Sequence, residues 1–414
     1  AYVAFAAIVG YLGLRTYRGL QAQDAIGPGQ IKAEQVKGPT VDLYLLWVAL
    51  AACASILLMA MTNELTQEIA VIPFLWVLPL AIYLLTFILA FGGGILYSRL
   101  IYLALFFLLT LGTRMLLQVP TTNLALEVAI FSLLLFVSCM LLHNELYKLR
   151  PHARYLSSFY LMVAVGGAVG GIFVTLIAPF IFSTGYWELQ WALIASGILM
   201  VVLILRERKP APRKPSKKKR KSAGNEAFKS LLNPLVIGLG ILIILQLIFV
   251  INYMRAISVE SLLARRNFYG VLRVWELNKE VPELLAYQLA HGQTAHGFQF
   301  DAQEIRAVPT TYFTERSGVG LAFLNHPKRP EPIRVGGLGL GIGVVASYGE
   351  EGDVFRFYEV NPDVIDIAEG NAGYFSFLSD SLAAVELIPG DARVSLEEEL
   401  LSGDPQDFDL LVLD

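Results

Sequence analysis

The sequence predicts a multi-pass α-helical membrane bundle, then a small β domain, then an open α/β domain built on a parallel sheet. Three observations lead there: repeated apolar stretches of about twenty residues, a reversal of charge near residue 257, and a glycine run between two strand patterns. Of 414 residues, 55% are hydrophobic and only 16% charged. Residues 1–256 hold 21 Lys+Arg against 10 Asp+Glu, whereas 257–414 hold 11 against 25. A basic part therefore belongs with lipid and an acidic part with water. The acids are either a solvated surface or an environment that favours a polycationic substrate.

The apolar stretches come first. Those at 43–61, 70–91, 100–117, 124–142, 157–182, 191–205 and 231–252 approach the length that crosses a bilayer. A partial one, 1–14, opens the chain. No Met and no basic segment precede it, so it is expected to be part of a helix and not a signal peptide. About eight spans are expected within residues 1–256. Loops with Lys/Arg alternate with loops without: Arg15, Arg18, Lys32 and Lys37, then Lys148, Arg150 and Arg154, then eleven in 206–229. The loops near 64–68, 120–122 and 183–188 carry none. The basic loops are expected to face the cytoplasm. The run RKPSKKKRK then anchors topology and links two spans, and no nucleic-acid partner is expected. Counted this way, the soluble part emerges on the other face unless one segment is re-entrant; 70–91, with Pro73 and Pro79, is the candidate.

Within the bundle, Arg114 and Glu127 flank a short loop at equal distance, which suggests an ion pair or shared polar contact, or two side chains reaching to the headgroups. GGAVGG places small residues four apart for close helix packing. Cys53 and Cys139 both lie in apolar spans, so neither a disulfide framework nor a thiolate metal site is expected.

In the soluble part, IRVGGLGLGIGVVASYG has the pattern strand, glycine turn, helix. The next strand, VFRFYEV, ends in Glu359, twenty residues after Gly339. Gly339, Gly341 and Gly343 let backbone approach a ligand, and an acid at the second strand tip can accept from both ribose hydroxyls. NPDVIDIAEG begins a helix at Asn361 or Pro362. VELIPGDAR gives a third strand ending in Asp391, and DFDLLVLD a fourth ending in Asp414. Three acids thus finish strands on one edge, where such sheets bind ligands; singly, each could be a helix cap.

GLGIG, FYEVNPDVIDIA, GDAR and FDLLVLD resemble the cofactor-binding series of the spermidine synthase family, the polyamine aminopropyltransferases. NFYGVLRVWEL, LLAYQLAHGQTAHGFQF and PTTYF are similar to its small β domain. IAVIPFLWVLPLAIYLLTFILAF, HNELYKLRP and SSFYLMVAVGGAVGGIFVTLIAPFIF resemble bacterial proteins in which a multi-span, transporter-like half is fused to such a domain. The resemblance implies a β domain over 257–331 and a Rossmann-like domain of the adenosylmethionine-dependent methyltransferase type over 332–414, stopping after its fourth strand. It implies decarboxylated S-adenosylmethionine as co-substrate, with Glu359 on its ribose, Asp391 and Ala392 on its adenine, and Gly339, Gly341 and Gly343 beside the nucleoside. Asp414 falls on the catalytic acid, with Tyr312 assisting. His296 and Gln299 fall at the amine end, where His291-Gly292 and His296-Gly297 stand in place of an acid–glycine pair. A polyamine substrate, the lipid bilayer of a bacterial inner membrane and further copies of the chain are the expected partners, without metal. The expected activity is aminopropyl transfer to a diamine such as putrescine. The alternatives are an S-adenosylmethionine-dependent methyltransferase and a non-catalytic polyamine- or nucleoside-binding transporter or sensor.

Overall fold

The computed structural model describes residues 38–69, 72–93, 97–118, 123–207, 234–292 and 294–414. The partial span 1–14, the basic residues before 38, the loop at 119–122 and most of the 206–229 loop lie outside the described residues. Helices α1 (Val41–Asn63), α2 (Val77–Phe91), α3 (Arg99–Gln118), α4 (Leu124–Lys148), α5 (Leu156–Ile172), α6 (Glu188–Glu207) and α7 (Pro234–Glu260) form a bundle. Among the described residues six helices are long and apolar enough to cross a membrane; α1 and α5 both continue into π-helical turns, and α5, with 17 residues of its own, needs that continuation.

The segment expected at 70–91 is the exception. Its helix has only 15 residues, ~22 Å of rise against ~30 Å of hydrocarbon. Pro73 lies in a turn beside Phe74, whose φ is 65°. Pro79 sits in the first turn of α2, where a missing N–H breaks no intrahelical bond. The expected eight spans are therefore six long helices and one short one among the described residues.

Trp47, Leu50, Leu57, Phe106, Phe131 and Phe159 belong to one buried core. α5 lies close on α1 because a Cβ at Gly166 or Gly170 would come within 2.6 Å of the Val48 or Ala52 carbonyl oxygen. Charge gathers at the two ends of the bundle. At one end Arg99 donates to Glu145 and Glu207, and Tyr97 and Lys148 also meet Glu145. At the other, where α6 begins, buried Glu188 accepts from Arg266.

α7 runs directly into β1 (Ser261–Asn267), which with β2 (Gly270–Leu277), β3 (Ala286–His291) and β4 (Thr294–Phe300) makes an antiparallel sheet in sequence order. After α8 (Gly318–Leu324) come β5 (Arg334–Leu338), β6 (Val354–Glu359), α9 (Pro362–Ala368), α10 (Phe377–Asp380), β7 (Ala384–Pro389), α11 (Ala392–Leu401) and β8 (Leu410–Leu413). These strands form a parallel sheet in the order β7-β6-β5-β8. The order reverses between β5 and β8. Val335, Phe355, Phe357, Ile367 and Val412 fill its core. Where a helix was expected after the glycines, the chain makes a 3-10 turn, Val344–Tyr348, and no more. Two consecutive valines are poor helix formers, and Gly343 and Gly349 flank the segment.

Candidate active site

Strand register brings the carboxyl ends of the parallel strands to one edge: Leu338 pairs with Tyr358 and Leu413, and Glu359 with Pro389. Along that edge stand, in order, Asp391, Glu359, the glycine turn and Asp414.

The turn is where backbones come closest. Gly339 and Gly341 have φ of 103° and 56°, a region costly for residues with a Cβ. A Cβ at Gly339 would meet that of Asp414 at 3.2 Å; one at Gly341 would lie 3.0 Å from the His296 carbonyl oxygen and 3.6 Å from Asp414 Oδ2. β4 and Asp414 therefore both close on the turn. The Gly343 N–H completes it by donating to the Leu340 carbonyl at 2.9 Å.

Glu359 is half-buried at the tip of β6. Its Oε2 accepts from Leu340 N–H at 3.1 Å and its Oε1 from Asn361 N–H at 2.8 Å. Each oxygen keeps a second acceptor position, so a vicinal diol can be bound without breaking either bond. Exposed Asp391 caps α11, accepting from Val394 N–H at 3.1 Å, and Ala392 is that helix's first residue. Capping occupies one of its oxygens.

Asp414 is tied to the edge by its N–H on the Leu338 carbonyl at 3.0 Å. Its Oδ1 accepts from the Tyr312 hydroxyl at 2.9 Å, so two residues 102 apart in sequence form a pair. Burial, and then the Asp414 carboxylate, push the Tyr312 phenol well above its ordinary value. Near neutral pH it therefore keeps its proton and serves Asp414 as a hydrogen-bond donor. Burial pushes the His296 imidazole down; Asp414 opposes this, while His291, its ring centroid 5.8 Å away, adds to it. His296 is therefore mainly uncharged at neutral pH.

Gln299, expected at the amine end, is buried and engaged. Its Nε2 donates to Ser376 Oγ at 3.1 Å and to the Arg306 carbonyl at 3.2 Å, and its Oε1 accepts from Ser376 N–H at 2.7 Å. Both amide hydrogens are taken, so Gln299 braces the Ser376 turn against β4 and presents no vacant donor to the edge.

Two neighbours escaped the sequence reading. Asn267 Nδ2 bridges Asn361 Oδ1 and Asp363 Oδ2, each at 2.6 Å, and locks β1 to the segment after Glu359. The polar run Arg265-Arg266-Asn267 was its signal. Ser376, whose hydroxyl donates to Asp380 Oδ2 at 2.6 Å, had none.

Among the described residues no Lys or Arg forms an ion pair with Glu359, Asp391 or Asp414, although nearby acids are matched: Asp353 by Arg329, Asp366 by Arg265, Glu386 and Glu399 by Arg356. Nor is any group of three or more His, Cys, Asp or Glu among them arranged to hold a metal ion. No family model, curated protein or solved structure matches the chain.

Proposed function

We propose that the parallel-sheet domain is Rossmann-like and that the chain is a membrane-bound, spermidine synthase-like aminopropyltransferase acting on a diamine such as putrescine. The observation that carries the reading is the Tyr312–Asp414 pair, standing where the strand order reverses, beside the glycine turn and on an edge of unpaired acids. Strand-order reversal is where open α/β sheets take their ligands.

The residues present fit decarboxylated S-adenosylmethionine. Glu359 retains acceptor positions for a ribose diol, Asp391 and Ala392 begin a helix at the next strand, and the unpaired acids suit a sulfonium cation. When bound, the donor supplies a methylene carbon beside the sulfonium, and methylthioadenosine departs as the C–S bond breaks. The acceptor amine, with a pKa near that of Lys, ~10.4, arrives protonated and must lose a proton before its nitrogen forms the C–N bond. Tyr312 holds its own proton and so orients Asp414, whose carboxylate is the group able to accept the amine's. Uncharged His296 does not repel the ammonium at the far end of a diamine.

Product analysis on the full-length protein tests this. Decarboxylated S-adenosylmethionine with putrescine should give methylthioadenosine and spermidine in equal amounts. Methylated amine formed from S-adenosylmethionine would make the chain a methyltransferase.

One observation favours a second reading. Arg266 of β1 reaches Glu188 and the Gly185 carbonyl at 2.8 Å, and Arg273 of β2 reaches the Thr184 carbonyl at 3.1 Å. The sheets thus adjoin the 183–188 loop, at the opposite end of α6 from Glu207. With the basic loops in the cytoplasm the sheets face away from it, which suits a sensor that binds a polyamine or nucleoside without transfer. A Cys introduced at exposed Ser402 and labelled by an impermeant thiol reagent in intact cells would support the sensor; protection would support the enzyme.

A further inference from the structure

The bundle holds a charge that the sheet chemistry does not use. Arg114 lies in α3, a helix long and apolar enough to cross a membrane, four residues before its end, and is 3% exposed. It turns to α7, where Nη1 donates to the Gln246 carbonyl at 3.4 Å and the guanidinium carbon lies 4.5 Å from the Phe249 ring centroid. Its Nε and Nη2 are buried and have no hydrogen-bond partner among the described residues.

Those two nitrogens are not an arbitrary remainder. Nε–H and Nη2–H form one edge of the guanidinium, two parallel donors whose spacing matches the two oxygens of a carboxylate or phosphate. A whole recognition edge is thus held vacant in an apolar interior, where an unpaired cation is costly. The Phe249 face offsets part of the charge but cannot accept two N–H bonds. Gln246 is 7% exposed, and both its side-chain Oε1 and Nε2 are buried without a partner among the described residues. Facing helices therefore offer a cationic fork and an amide, both unsatisfied. Buried polar groups in native proteins are normally satisfied, by water or ligand where not by protein.

We propose that Arg114 and Gln246 form an oxyanion-binding site between α3 and α7 that takes a carboxylate or phosphate group. The site lies toward the end of the bundle that carries the sheets: α3 runs away from Arg99, and α7 runs on into β1. From it an aromatic series leads to the junction. Phe249 stacks on Tyr253 with centroids 6.0 Å apart, and Tyr253 meets Trp187 edge-on at 5.6 Å, next to Glu188. The oxyanion has two sources at this depth, the phosphate of an anionic phospholipid or the charged group of a small solute.

The test uses the full-length protein in a neutral detergent, with phosphatidylglycerol, inorganic phosphate and acetate as separate probes, read by unfolding midpoint and native mass spectrometry. At least one probe should raise the midpoint saturably and bind one per chain; response to the lipid alone assigns a headgroup, response to phosphate or acetate a solute. Arg114→Gln should weaken the half-saturating concentration at least about tenfold, the usual worth of a charge-assisted pair of bonds. Without probe, Arg114→Gln should unfold no earlier than wild type, because an unpaired buried charge is gone. Gln246→Leu should weaken half-saturation by a few-fold, and it decides the matter where Arg114→Gln does not accumulate. A wild type that responds to none of the three probes, or variants that respond as wild type does, would overturn the site.

Discussion

Where the bundle meets the antiparallel sheet, Glu188 is wholly buried and both its oxygens are met by Arg266, itself 3% exposed. Along the edge of the parallel sheet, Glu359, Asp391 and Asp414 meet backbone N–H groups and one phenol, and no basic side chain among the described residues. Both regions are acidic, but their chemistry differs. A buried carboxylate must be neutralised, since an isolated charge in an apolar setting is too costly to keep. A carboxylate at a solvated edge can stay ionised unpaired, and its charge remains available to an incoming cation. Charge matching therefore separates the residues that hold this molecule together from those we propose to bind.

The sharpest way to break that comparison is Asp414→Asn. It preserves shape and removes the proton acceptor, so turnover in the full-length protein should fall by ~10²–10⁴ while donor affinity stays near wild type. Wild-type turnover should rise with pH as the free-amine fraction grows. The Tyr312 phenol, raised above its ordinary value, stays protonated through that rise, so loss of its hydrogen bond should not limit the rate until strongly alkaline pH. Unchanged turnover in the variant would put Asp414 with the structural acids.

At the junction the expected effect is on stability. Arg266→Met strands Glu188 without its partner and should cost about 3–5 kcal/mol in thermal or denaturant unfolding, whereas Arg266→Met with Glu188→Leu should recover most of it. An equal loss in the double variant would mean that the pair is not the source of the stability.

Much of this was legible in the chain. Apolar runs predict helices that cross lipid because a spanning segment must satisfy its own backbone, and α1 and α3 to α7 follow them. The strand ends at Glu359 and Asp414 were equally plain, since apolar strands end where acids begin. The Arg266–Glu188 and Asn267–Asn361 contacts were hidden because their partners lie 78 and 94 residues apart, and neither polar residue announces a mate. The bonds of Gln299 were hidden for the same reason: its neighbours, Ser376 and the Arg306 carbonyl, come from elsewhere in the chain. The shortness of α2 was written in Pro73 and Pro79, but hydropathy alone ran straight through them.

Smallest in size, and most direct, is the measurement on Glu359. Its two backbone bonds make it either a brace for the turn or an acceptor held ready for a ligand, and Glu359→Gln separates the roles. Calorimetric titration of decarboxylated S-adenosylmethionine should show affinity reduced by ~1.5–3 kcal/mol, tenfold or more, the range for hydrogen bonds to a charged group. The unfolding midpoint without ligand should stay close to wild type. An unchanged dissociation constant together with a lowered midpoint would contradict the account and return Glu359 to the architecture.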